Sequence, residues 1–213
     1  MCNEVARRIS LDLLRNDFDQ RKIRLFTPEN APNMEPLPSI RITDSTVIVR
    51  ARGASGATES GGRDLETPED DGFMGAELVT RRWSWPGAHG KPVYNFRSDG
   101  RDLASGRCLI PVDAFYEFTT AANPKAKKKD KWAFTHARDD WFAIAGLWRR
   151  TPEVGEAFTM LTTEPGPDVA PYHSRQMVVI ERDDWARWLD PACPSATLTR
   201  PLPAGTLRVT QVR

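Results

Sequence analysis

The chain has 213 residues, enough for one domain with a sizeable core, and its 30 Lys and Arg against 29 Asp and Glu leave a formal net charge of +1. That balance excludes a global polyanion-binding signature, so any nucleic-acid site has to be a local patch. Cys2, Cys108 and Cys193 form an odd set without a CxxC pair, which argues against a disulfide framework or a structural zinc site and for a reducing compartment.

At the head of the chain Cys2 follows Met1 directly. A start methionine is removed when the next side chain is small, and its removal here would leave a free α-amine and a thiol on adjacent carbons. Their unperturbed pKa values, about 7.7–8.0 and about 8.5, make both usable nucleophiles near neutral pH. The amine condenses with an aldehyde to a Schiff base, and the thiolate then closes onto the same carbon to give a five-membered thiazolidine. An N-terminal cysteine is therefore an aldehyde trap; the plainer alternative is a cysteine that stands there by accident of the start site. The first apolar run is broken by Arg7, Arg8 and Asp12, so no signal-peptide core is present, and no stretch approaches the length of a membrane span. The expectation is a soluble cytoplasmic protein.

Val5, Ile9, Leu13 and Leu14 fall on one face of a predicted helix over residues 4–20. Pro28, Pro32, Pro36 and Pro38 predict an extended, rigid loop over 27–44, and 46–50 reads as a strand. Residues 53–72, rich in Gly, Ser, Glu and Asp, read as a solvated, mobile loop. From Ala76 the pattern turns β, with strands predicted at 78–85, 107–111, 131–135, 141–148 and 157–162. The basic segment 125–131 reads as a solvated turn. Residues 181–189 predict a short helix with Trp185, Trp188 and Leu189 on its buried side, and 207–212 a closing strand. With no internal repeats, the whole chain from 1 to 213 reads as one α+β domain built around curled, barrel-like sheets with flanking helices.

Four further segments carry chemistry. They are Arg82-Trp83-Ser84-Trp85-Pro86 with Tyr94 to Asp99; Arg107 to Phe118; Phe142 to Trp148; and Leu161-Thr162-Thr163 leading to His173-Ser174-Arg175-Gln176-Met177-Val178. Asn95 offers a donor and an acceptor without titrating. Arg97, two residues on and so on the same face of a strand, can set a guanidinium on a phosphate. Glu117 ends an apolar strand; its bland home is an exposed strand end, because burying an ionised, unpaired carboxylate costs several kcal/mol. His173 follows a proline-rich turn and could equally be a surface residue or a satisfied core one. Trp83 and Trp85 are expected to share a face, with Trp85 free to stack on a base and Arg81 and Arg82 alternating with them. Cys108 and Cys193 read as structural.

In this order, behind Cys2, these segments closely resemble the SOS response-associated peptidase (SRAP) family of abasic-site processing proteins. The resemblance implies an α+β domain with a barrel-like core, a positively charged groove for single-stranded DNA, and a covalent thiazolidine link from Cys2 to the ring-opened sugar of an abasic site. It implies catalytic roles for Cys2, Asn95, Glu117 as proton shuttle and His173 at the sugar. It also implies DNA-binding roles for Arg97, Trp85, Arg81, Phe118 and Arg175, with Phe118 a second wedge at a single-strand/duplex junction. Neither a cofactor nor a metal is expected. The partner is single-stranded DNA carrying abasic sites, with no membrane contact, and the protein is expected to be a monomer that joins the nucleoid when bound. The peptidase of the family name is read as no more than self-removal of Met1.

Three departures stand out. Gln176-Met177 replaces the usual Met-Pro or Arg-Pro after the His-x-Arg motif, Asp99 stands where Glu is frequent, and only Thr43 survives of a family stretch matched to Ser39 to Asp44. Two other functions remain open. An N-terminal-nucleophile amidotransferase also begins with cysteine, but prefers Gly next, whereas Asn3 follows here. A non-covalent single-strand-binding module would leave Cys2 without a role.

Overall fold

A computed structural model describes residues 2–53 and 74–213. Its elements run β1 (Glu4–Arg7), α1 (Leu11–Asp19), β2 (Ile23–Phe26), β3 (Leu37–Arg41), β4 (Ser45–Ala51) and β5 (Met74–Trp83). Short strands β6 (Trp85–Pro86), β7 (Pro92–Val93) and β8 (Asn95–Arg97) follow, then the longer β9 (Arg107–Val112), β10 (Ala114–Thr119), β11 (Asp130–His136), β12 (Phe142–Thr151) and β13 (Gly155–Thr163). The chain ends with β14 (Gln176–Met177), β15 (Val179–Ile180), α2 (Trp185–Leu189) and β16 (Leu207–Gln211). The mobile loop expected at 53–72 lies, from residue 54 onward, outside the described residues.

Strands β5, β4, β9, β12 and β13 close into a barrel, because β13 pairs back onto β5 in parallel at Ala157–Arg82 and Phe158–Trp83. Closure removes the open edges that these apolar strands would otherwise present. A second, five-stranded sheet runs in the order β16-β11-β10-β1-β3. The chain crosses between the two at Asp113, whose backbone N–H donates to the carbonyl of Ala6 at 3.0 Å.

The barrel strands are buried on both faces, which is why their sequences run apolar instead of alternating cleanly. Ile48, Cys108, Ile110 and Ile144 belong to an inner core shared with Cys2, Val5 and Phe115. Val47, Val49, Leu109, Ala143 and Ala145 face a second layer with Leu14 and Phe18 of α1 and Trp185, Trp188 and Leu189 of α2. Phe18 stacks on Trp185 with ring centres 4.4 Å apart, which ties the two helices to each other as well as to the barrel.

Four expectations need correction. The helix predicted over 4–20 is divided: residues 4–7 form β1, and only after Ser10, whose hydroxyl caps the amide of Leu13, does α1 begin. Val5 is buried as a strand residue, so its four-residue spacing from Ile9 is coincidental. The loop predicted over 27–44 contains β3, where Pro38 is tolerated because β3 is the edge strand of its sheet. The strand predicted over 78–85 breaks at Ser84, which adopts a φ of 84° while its N–H donates to the Phe158 carbonyl at 2.7 Å. The helix predicted over 181–189 starts with a 3-10 turn, so that only residues 185–189 are α-helical.

Gly146 lies where β9, β12 and β13 meet. A Cβ there would come within 2.4 Å of Ile110 Cδ1 and 2.7 Å of the Thr159 carbonyl oxygen. Gly146→Ala should therefore destabilise the barrel by about 1–3 kcal/mol, read as a lower denaturant midpoint at unchanged slope. An unchanged midpoint would mean that the barrel wall gives way freely at this point.

Candidate active site

The antiparallel register of β1 on β10, Val5 with Phe115 and Ala6 with Ala114, runs the head of the chain back alongside Tyr116 and Glu117. Cys2 is fully buried there, its thiol donating to the Glu4 carbonyl at 3.2 Å. Burial, reinforced by the negative charge of Glu117, pushes the Cys2 thiol up to about 12. At neutral pH it is an uncharged thiol.

Glu117 is 2% exposed, so its carboxyl is not the exposed strand end of the plainer expectation. Phe115 and Glu117 share one face of β10, and Phe115 belongs to the core that holds Cys2, so the strand aims the carboxyl inward. Burial raises its pKa to about 7, against the pull of the positive amino terminus at Met1 and a hydrogen bond from the backbone of Cys2. A group that titrates near neutrality can both give and take a proton.

Asn95 reaches the same place from β8, which lies parallel to β13 with Asn95 opposite Met160 and Arg97 opposite Thr162. Its Nδ2 donates to the Cys2 carbonyl at 2.8 Å, while its Oδ1 is buried with no partner among the described residues. That oxygen is left able to accept from an incoming hydroxyl or amine. Arg97 is exposed on the same face of β8.

His173 follows a helical turn in which its N–H donates to the Val169 carbonyl at 3.0 Å. Its Nδ1 lies 2.9 Å from the Arg175 amide and 3.1 Å from the Arg175 carbonyl; in the tautomer that accepts from the amide, the proton of the neutral ring is on Nε2. Burial lowers its pKa, and the positive amino terminus at Met1 lowers it further. Arg175 in turn donates to the Thr162 carbonyl at 2.7 Å and pairs with Asp99. This pair holds Asp99 below its usual range, the hydrogen bond from Arg175 being the largest cause. The shorter acid at position 99 thus reaches the arginine of the His-x-Arg motif.

The structure brings Asn95 and Glu117 each into contact with the backbone of Cys2, and the positive amino terminus of the chain, at Met1, acts on both Glu117 and His173. Three other expected residues lie elsewhere. Trp85, expected to be free to stack on a base, is 5% exposed, and its ring is covered by the Arg149 guanidinium at 4.3 Å. The break at Ser84 is the reason: Trp83 and Trp85 do not sit on one continuous strand. Arg81, expected in the groove, is paired with Glu29 at 2.8 Å and Glu156 at 2.6 Å on the barrel wall. Phe118 lies one residue from Glu117 and hence on the opposite face of β10, packed against the cluster of Ala6, Ala114, Tyr116 and Ala133. Among the described residues no group of three or more His, Cys, Asp or Glu could hold a metal ion, and no helix is long and apolar enough to cross a membrane.

The sequence reading overlooked two arrangements. Asp99 and Arg175 are too far apart in the chain to pair without knowledge of the β8–β13 contact. Glu4, next to the buried Cys2, is held by Lys131 and Ser39, each at 2.7 Å.

A family model described as SOS response associated peptidase (SRAP) matches residues 1–213. The abasic site processing proteins YoqW and YoaM of Bacillus subtilis are each 33% identical over 95 residues, 43% of this chain. The match spans only 41% of YoqW and 40% of YoaM, well under two thirds of their length. Among solved structures, a Bordetella bronchiseptica protein aligns over 100% of both chains with a TM-score of 0.68 at 21% identity. A Bacteroides thetaiotaomicron protein aligns over 100% of this chain and 92% of its own with a TM-score of 0.69 at 14% identity. These likenesses bear on the fold.

Because Glu117 binds its proton more tightly folded than unfolded, its contribution to stability should be full below pH 4.5 and fall as pH rises toward about 7. Glu117→Gln should abolish this part of the decline, so the variant gains on the wild type between those limits. Denaturant midpoints measured across that range test this. A constant difference between the two proteins would show that the carboxyl titrates in the ordinary range.

Proposed function

Because the chain belongs to the SOS response associated peptidase family, we propose that it processes abasic sites in single-stranded DNA by covalent capture through Cys2. The observation that carries this reading is the contact of Cys2 with a carboxyl group whose pKa is about 7. The names of the Bacillus relatives supply the substrate class.

With Met1 removed, the α-amine of Cys2 attacks the C1′ aldehyde of the opened sugar and forms a C–N bond. Protonated Glu117 gives its proton to the resulting hydroxyl, which leaves as water, and a C=N bond remains. The thiol then adds to the same carbon. Because its pKa is about 12 in the resting site, its proton has to pass to the Glu117 carboxylate as the C–S bond forms. Aldehyde, amine and thiol thus yield a thiazolidine and one water, and the reverse sequence releases the sugar. Asn95 holds the Cys2 carbonyl and offers Oδ1 to the amine or a sugar hydroxyl. His173, neutral at pH 7 because its pKa is lowered, donates from Nε2 to the sugar oxygen. Arg97 stands ready for a flanking phosphate. The adduct shields the abasic site from strand cleavage.

Single-stranded DNA with one abasic site should give a species on a denaturing gel that persists without borohydride, because a thiazolidine has no C=N bond to reduce. Cys2→Ser should give a less durable adduct, through an oxazolidine. An adduct seen only after borohydride treatment would rule out ring closure by the thiol. Glu117→Gln should slow both formation and reversal by about 10²–10⁴-fold. His173→Ala should be slow on closed-ring sugars and nearly normal on an open-chain aldehyde analogue. Equal slowing on both would remove His173 from ring opening.

A further inference from the structure

The far end of β1 carries a second feature, separate from the chemistry at Cys2. Arg7 is 1% exposed, yet no carboxylate lies within ion-pair distance of its guanidinium among the described residues. Its NH2 donates to the carbonyls of Glu35 at 3.1 Å and Asn33 at 3.4 Å, and its NH1 faces the Met34 sulfur at 3.5 Å. Its Nε is buried with no partner. The acid acting on it, Asp113, is itself paired with Arg8 at 3.0 Å.

Arg7 lines a pocket of about 180 Å³ with Asn33, Glu35, Ser45, Thr46 and Thr80. Thr46 is 2% exposed, and its Oγ1 is likewise buried without a partner. Two residues that each carry a buried polar atom without a partner, one of them a cation, therefore line one small cavity. Buried charges are ordinarily compensated, and a guanidinium is best compensated by an oxyanion that accepts several of its donors at once. The hydroxyl of Thr46 adds a neutral donor, and those of Ser45 and Thr80 line the same space. The glutamate in the lining, Glu35, is exposed and gives Arg7 its backbone carbonyl.

We propose that this pocket is a binding site for a phosphate-type oxyanion, held by Arg7 Nε and the Thr46 hydroxyl. The ligand is either a free phosphate or a phosphodiester of a bound DNA strand, which share this chemistry. Arg7 is five residues from Cys2, about 16–17 Å of extended chain, so the site does not overlap the reacting groups.

The test is thermal unfolding and ³¹P NMR line broadening of the full-length protein, titrated with inorganic phosphate against chloride at matched ionic strength. A saturable rise in Tm with phosphate alone is expected. Thr46→Val, which keeps the shape and removes the donor, should weaken the apparent phosphate affinity about tenfold. Arg7→Met should abolish the dependence; if that variant does not fold, Thr46→Val decides. Fluorescence anisotropy with abasic-free single-stranded DNA separates the two sources. Competition by phosphate, with weaker DNA binding in Thr46→Val, points to a phosphodiester. Unchanged DNA binding alongside the phosphate-dependent Tm points to the free ion. A Tm without saturable phosphate dependence, or one equally dependent in Thr46→Val, would overturn the proposal, and neither result bears on crosslinking through Cys2.

Discussion

The pairing of β1 between β10 and β3 is the constraint on which the candidate site depends. It makes the head of the chain an interior strand rather than a loose terminus, with Val5 held opposite both Phe115 and Ile40. Chain ends are ordinarily mobile unless they are tied into a sheet. Here the tie extends to Cys2, because Asn95 bonds its carbonyl and the backbone of Cys2 bonds Glu117. A nucleophile on a frayed end would spend little time in any one reactive geometry. One on an interior strand is oriented before the substrate arrives.

The same burial sets the acid–base character of the site. It raises Glu117 and the Cys2 thiol and lowers His173, so all three are driven toward their uncharged forms. An uncharged thiol is a poor nucleophile by itself, so its reaction has to be coupled to proton transfer. It is also a poor target for stray oxidants. The Asp99–Arg175 pair works at one remove: it fixes the arginine whose backbone amide orients the His173 ring.

The long strands were legible because a barrel buried on both faces requires apolar runs, and those at 107–111, 141–148 and 157–162 stand out from their polar turns. Where the reading went astray, a local rule met a non-local fact. Val5 and Ile9 have helical spacing but belong to a strand and to a loop before a capped helix. The proline at 38 reads as a loop until β3 is seen to be an edge. The face-sharing expected of Trp83 and Trp85 assumed an unbroken strand, and the left-handed residue at Ser84 has no signature in its identity. Arg81 has the look of a groove residue, but its partners Glu29 and Glu156 are distant in sequence and adjacent only once the barrel closes. Cys2, Asn95 and Glu117 were picked out through the order of their motifs, not through any spacing that foretold their contact.

The partner strand that shelters Cys2 is made more than a hundred residues after it, since Val5 pairs with Phe115. Until β10 has been synthesised, β1 has only β3 beside it, and an isolated two-stranded ribbon is marginal in water. At translation speeds of about 5–20 residues per second, the head of the chain therefore spends several seconds in solvent before it is enclosed. N-terminal trimming by an external enzyme has its natural opportunity in that interval, on the ribosome. Once the sheet has formed, Cys2 lies in the interior of a folded protein.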